Sequence, residues 1–130
     1  MDDLYRQEII DRYKNPSNRG ELNPHDFSYE DENPLCGDHL KIDLLVDEQG
    51  IVSNAKFSGH GCAISQASVD LLLDEIIGQP LSKVRDFSKD DMLDLLGVEV
   101  GPVRLKCALL GLKVLKAGAY GLGENDKDLI

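Results

Sequence analysis

Between residues 40 and 57 the chain alternates in a way that only a strand pair satisfies. Leu40, Ile42, Leu44 and Val46 are interleaved with Lys41, Asp43 and Leu45, which predicts a strand with one buried face. Asp47-Glu48-Gln49-Gly50 then predicts a hairpin turn. Ile51, Ser53, Ala55 and Phe57 alternate with Val52, Asn54 and Lys56 on the return strand. Two strands are not stable alone in water. A helix or a third strand must cover them, and this requirement shapes the rest of the chain.

The helices that meet it are legible. Val69, Leu72, Leu73 and Ile76 form an apolar stripe over residues 63–77, stopped by Gly78 and Pro80. Ser88 followed by Asp91 is a capping-box pair that starts a shorter helix with Met92, Leu93, Leu95 and Leu96, ended by Gly97. Gly101-Pro102 opens a last helix, apolar on two faces and expected to be mostly buried. At the N-terminus Tyr5, Ile9 and Tyr13 recur every four residues, with Ile10 beside them, until Asn15-Pro16 ends that helix. Phe27–Glu30 carries a weak strand signal. Gly59-His60-Gly61 is expected to break the return strand, and residues 118–130 to form a flexible tail. The expected architecture is α+β, a single domain over residues 1–130, with a small antiparallel sheet backed by helices.

Charge and composition narrow the function classes. The 24 acidic and 14 basic residues give a formal net charge of −10. That surface disfavours nucleic acid, which needs clustered Lys and Arg, and the absence of Trp disfavours base stacking. It suits a partner with a basic patch. No apolar run spans a membrane, and the start lacks the pattern of a signal peptide. A cytoplasmic protein is therefore expected. There, an odd count of three cysteines points to metal or catalysis rather than disulfides.

Each cysteine, Cys36, Cys62 and Cys107, lies in a segment that contains a Gly or Pro breaker. Cys36-Gly37-Asp38 puts a thiol and a carboxylate two residues apart around a flexible glycine. This is either half of a metal site or a turn in which Asp38 bonds nearby amides. Cys62 begins a helix, where unpaired amides suit a ligand or a sulfur nucleophile, although taken alone a free cysteine there reads first as a small buried hydrophobe. Cys107 lies on the apolar side of the last helix, and packing alone would explain it. Arg104, one turn earlier, is positioned to steer an anion or a partner, or is an ordinary solvated charge like Lys106. His39 and His60 are candidate fourth ligands or exposed loop residues. His25 sits in a turn and has no assigned role.

In this order, the segments Asn33-Pro34-Leu35-Cys36-Gly37-Asp38, Gly61-Cys62-Ala63-Ile64-Ser65 and Pro102-Val103-Arg104-Leu105-Lys106-Cys107-Ala108 resemble the IscU/NifU/SufU family of iron–sulfur cluster assembly proteins. Leu4-Tyr5, Asn15-Pro16 and Asn18-Arg19-Gly20 extend the resemblance from about Leu4 to Ala117. It implies a three-stranded antiparallel sheet packed against helices. It also implies metal or cluster ligands at Cys36, Asp38, Cys62 and Cys107. The expected occupant is Zn²⁺ or a [2Fe–2S] cluster, and the expected partners are a pyridoxal-phosphate cysteine desulfurase of the SufS/IscS kind and downstream cluster acceptors or scaffolds.

Lys106 stands where IscU-type members carry His, and Lys106, Arg104 and Ile64-Ser65-Gln66-Ala67-Ser68 look SufU-like. Cys107 follows Cys62 by only 45 positions, closer to the shorter IscU spacing. The resemblance thus implies sulfur transfer first, with Cys36 accepting persulfide, Arg104 orienting the partner or the anionic sulfur, and Asp38 as a replaceable ligand. The alternatives are a transient [2Fe–2S] scaffold on the same residues, and a zinc-stabilised interaction module with no chemistry.

Overall fold

The structure, a computed structural model, describes residues 2–33, 37–97 and 101–120, with the side chains of residues 2–6, 102–104 and 118–120 left out. In chain order the elements are α1 (Asp2–Lys14), β1 (Phe27–Asn33), β2 (Asp38–Val46), β3 (Val52–His60), α2 (Ala63–Ile76), α3 (Leu81–Asp86), α4 (Lys89–Leu96) and α5 (Pro102–Tyr120). The strands form one antiparallel sheet in the order β1-β2-β3. This is the α+β frame expected from the sequence.

The hairpin forms where the alternation placed it. The N–H of Asp47 bonds the carbonyl of Ile51 at 2.9 Å, and the Asp47 carboxylate accepts from the N–H groups of Gln49 and Ile51. Leu40, Ile42 and Leu44 face the helices and are almost fully buried. On β3 the strict alternation fails at one point. The register slips between Leu45 and Val46, so that Val46 pairs with Val52 and Leu45 with Asn54. This bulge puts Val52, not Ile51, in the core beside Ala55 and Phe57.

β3 also outlasts its expected end. Gly59 does not break the strand but pairs with Leu40 inside it at a φ of 116°. A Cβ there would stand 2.1 Å from the carbonyl oxygen of His39. Only glycine fits so close to the neighbouring strand. The weak signal at Phe27 proves to be a full strand, since β1 continues to Asn33 and pairs it with Asp38.

The main core lies between sheet and helices. Phe57, Leu72, Leu73, Ile76, Leu112 and Leu115 are buried at its centre, each contributing about 1.5–3 kcal/mol by leaving water. A second cluster joins Ile9, Ala67, Leu71, Leu96 and Ala108. Among the described side chains of the α1 stripe, Ile9 packs while Ile10 and Tyr13 stay exposed; the side chain of Tyr5 lies outside them. α4 starts on the capping box of Ser88 and Asp91 and ends at left-handed Gly97, as its sequence requires. α5 continues to Tyr120, past the expected start of the tail; residues 121–130 lie outside the described residues.

Polar ties fix α1 and the following loop to α2. Asp70 is wholly buried, and its carboxylate accepts from Arg12 at 2.8 Å and from the N–H groups of Ser17 and Asn18. Arg12 also pairs with Asp74, and the Asn18 amide donates to Asp74 and to the Asp70 carbonyl. A buried carboxylate is tolerable only when its lone pairs are filled in this way. Lys116 of α5 is buried and donates to the carbonyl of Phe87 at 2.8 Å.

Candidate metal centre

Three elements converge at one end of the sheet. Asp38 is the first residue of β2, on the same face as Leu40 and Ile42, and is buried. Cys62 is the N-cap of α2, reached from the end of β3 through Gly61 alone. Cys107 lies near the start of α5 and is 3% exposed. Their ligand atoms all lie within 4.8 Å of one another. Among the described residues this is the one group of three or more acidic, histidine or cysteine side chains gathered so tightly.

The carboxylate of Asp38 organises the group. One oxygen accepts the backbone N–H of Cys62 at 3.1 Å, and the other lies 3.6 Å from its thiol. The first contact caps the positive end of α2 with an anion. Asp38 thus bonds a backbone amide, as its turn-type expectation requires, while its second oxygen faces a thiol. Gly61 makes the approach feasible. A Cβ on it would lie 2.4 Å from the Ser65 hydroxyl and 2.9 Å from the Asp38 carboxyl carbon.

The loop around Cys62 is clamped from outside. Arg19 donates to the Gly59 carbonyl at 2.7 Å and to the Gln66 side chain at 3.0 Å, with its guanidinium over the Phe57 ring. Gln66 in turn donates to the Gly61 carbonyl at 2.8 Å, and Ser65 to the Cys62 carbonyl. Sequence reasoning gave Arg19 and Gln66 no role in the site. Their only signal was membership of the matching segments, because a clamp across 47 positions leaves no local pattern.

The donor set suits a thiophilic divalent ion. Tetrahedral zinc takes thiolate at about 2.3 Å and carboxylate at about 2.0–2.2 Å, so its ligand atoms stand roughly 3.5–3.8 Å apart. Asp38 and Cys62 already have that separation. Cys107 requires a shift of no more than about 1 Å by the same geometry. Cys36, the expected fourth ligand, lies outside the described residues. Arg104 is in the first turn of α5, and its side chain lies outside them too. His39 and His60 do not join the group. They stack on each other as cross-strand neighbours, ring centroids 6.1 Å apart, and His39 reaches Glu30 at 2.7 Å.

With this geometry established, comparison with known proteins decides the family. The model of the NifU-like N-terminal domain matches residues 4–127. The chain belongs to that family.

Among curated relatives, the zinc-dependent sulfurtransferase SufU of Bacillus subtilis is 38% identical, with 91% of this chain and 90% of that protein covered. The iron–sulfur cluster assembly scaffold protein IscU of Escherichia coli is 31% identical over 87% of this chain and 89% of its own. A solved structure from Fervidobacterium islandicum, described as an assembly scaffold protein for the SUF system, superposes with a TM-score of 0.77 at 27% identity, covering 87% of this chain and 94% of that one. The N-terminal part of a NifU-like protein from Brucella abortus shares the fold, with a TM-score of 0.73 at 20% identity and coverage of 92% and 94%. These matches agree with the family and the sheet-and-helix architecture expected from the three cysteine segments. Among the described residues, no helix is long and apolar enough to cross a membrane.

Proposed function

We propose that this protein serves iron–sulfur cluster assembly by accepting persulfide sulfur from a cysteine desulfurase, at a zinc centre made by Asp38, Cys62, Cys107 and Cys36. The observation that carries this is the convergence of a buried carboxylate and two thiols within 4.8 Å, in a chain 38% identical to a protein named a zinc-dependent sulfurtransferase. Bound zinc supplies Lewis acidity that holds its sulfur ligands as thiolates.

The chain's own residues do the rest. Asp38 is an oxygen ligand among sulfurs and already has a second bond, from the Cys62 N–H, so it can yield its place without being left unpaired. Cys36 is the acceptor. Its thiolate attacks the outer sulfur of the desulfurase persulfide, a new S–S bond forms on Cys36, and the desulfurase cysteine leaves as thiolate. Arg104, one turn before Cys107, orients the anionic sulfur or the partner. The Arg19 and Gln66 clamp holds the Cys62 loop in place during the transfer.

The test is stimulation of a cysteine desulfurase by zinc-loaded protein. Cys36→Ala should abolish stimulation while leaving the fold intact. Unchanged stimulation would sink the assignment.

A second reading is favoured by the relatives at 31% identity named as scaffolds and by the short interval between Cys62 and Cys107. The same residues would then carry a [2Fe–2S] cluster as cargo, with Asp38 as the labile ligand. Anaerobic reconstitution with iron and sulfide distinguishes it. Visible absorption and bound iron that move to an apo-protein would favour the scaffold.

A further inference from the structure

Because side chains alternate along a strand, His39 points to the opposite face of β2 from Asp38. His39 pairs directly with His60 on β3, so the two imidazoles stand side by side on the outer face of the sheet. Their rings stack at 6.1 Å with 25° between planes. His39 is about a third exposed, and His60 is exposed. The Nε2 atom of His39 lies 2.7 Å from a carboxylate oxygen of Glu30 on β1. Among the described residues the His60 ring makes no hydrogen bond. The third histidine, His25, is separate and bonds the Leu22 carbonyl.

We propose that His39 and His60 form a second, solvent-facing site for a divalent transition metal, with Glu30 as its orienting carboxylate. Imidazole is the shared preference of zinc, nickel and copper ions. A histidine ligand commonly gives its other ring nitrogen to a carboxylate, which fixes the ring and raises its basicity. Glu30 does this at Nε2 of His39, which assigns Nδ1 as the atom offered to the metal. His60 supplies the second imidazole, and water completes the shell. The β2–β3 ladder is regular from Leu45 to His39, and the His39–His60 pair closes its end. The site is one residue along the chain from Asp38 and two from Cys62. It therefore holds an ion beside the buried centre without sharing a ligand with it, and stands independently of what that centre does.

The test uses zinc alone, on full-length protein whose buried centre is already loaded. Equilibrium dialysis against rising zinc should add a second ion per chain. His60→Ala and His39→Ala should each weaken this second ion at least about tenfold, since even the loss of a supporting partner costs 10–100-fold. Glu30→Gln should weaken it less. His25→Ala should leave it unchanged. In NMR spectra the ring protons of His39 and His60 should move on adding the second equivalent, with those of His25 fixed. Saturation at one zinc per chain would overturn the proposal. So would a second zinc that survives both His39→Ala and His60→Ala, which would mean adventitious binding elsewhere.

Discussion

The carboxylate of Asp38 meets Cys62 twice, through the backbone N–H at 3.1 Å and the thiol at 3.6 Å. One residue from the start of β2 thereby fixes both the entry of α2 and the position of a sulfur. The arrangement depends on a residue with no side chain. Gly61→Ala would drive a methyl group against Ser65 and Asp38. Zinc affinity should fall at least about tenfold, as for disturbed supporting contacts at other metal sites, while the urea midpoint of the metal-free protein changes little. Competition with a chromogenic chelator measures the first quantity.

Removing the metal should loosen the protein without unfolding it, because the hydrophobic clusters do not involve the proposed ligands Asp38 and Cys62. A ligand held at 1,000 times its Kd stabilises by about 4 kcal/mol. Chelation should therefore lower Tm by roughly 10–20 °C, and Cys107→Ser should remove most of that difference. Calorimetry with and without chelator checks both. Complete unfolding on chelation would favour a purely structural zinc module.

Arg12→Ala should be the most damaging single change outside the core. It leaves the wholly buried carboxylate of Asp70 without its ion-pair partner, a loss that costs about 3–5 kcal/mol in buried pairs. The loop holding Arg19 rests on the same carboxylate through Ser17 and Asn18. Urea denaturation gives the cost. Hydrogen exchange at Asn18 and Gly20 should rise in the same variant.

Acid should destabilise the protein in a defined window. Burial works to raise the carboxyl of Asp74, but hydrogen bonds from Asn18 and Arg12 outweigh it and hold it below its ordinary 3.8. Asp31 is lowered likewise, against burial, by Lys113 and the Glu32 N–H. Depressed carboxylates contribute stability that is fully present above the unfolded value and is lost as pH falls through the folded ones. The urea midpoint should thus be insensitive to these groups near neutrality and fall below about pH 4. Asp74→Asn should flatten that fall.

The parts of the fold visible beforehand were those written locally. The hairpin alternation, the Ser88–Asp91 cap and the Gly97 stop each lie within a few residues, and each formed. What escaped was set by distant neighbours. β3 runs through Gly59 because the backbone of β2 leaves no room for anything else, and Val52 replaces Ile51 in the core because of a bulge. α3 has no distinctive pattern in six residues. Tyr13 looked like stripe and is exposed; among the described side chains α1 packs through Ile9 and Arg12. At the candidate site, Asp38, Cys62 and Cys107 were legible together only through the family resemblance of their three segments, since Cys62 and Cys107 taken singly read as packing. The Arg19 clamp was not, because it joins a loop to a helix start far along the chain.

The most direct measurement is the metal and sulfide content of protein purified without oxygen. The account predicts about one zinc per chain and no acid-labile sulfide, with the zinc lost in Cys62→Ser and in Cys107→Ser. Iron and labile sulfide in equal amounts, absent from the same variants, would contradict it and make the centre a carrier of clusters.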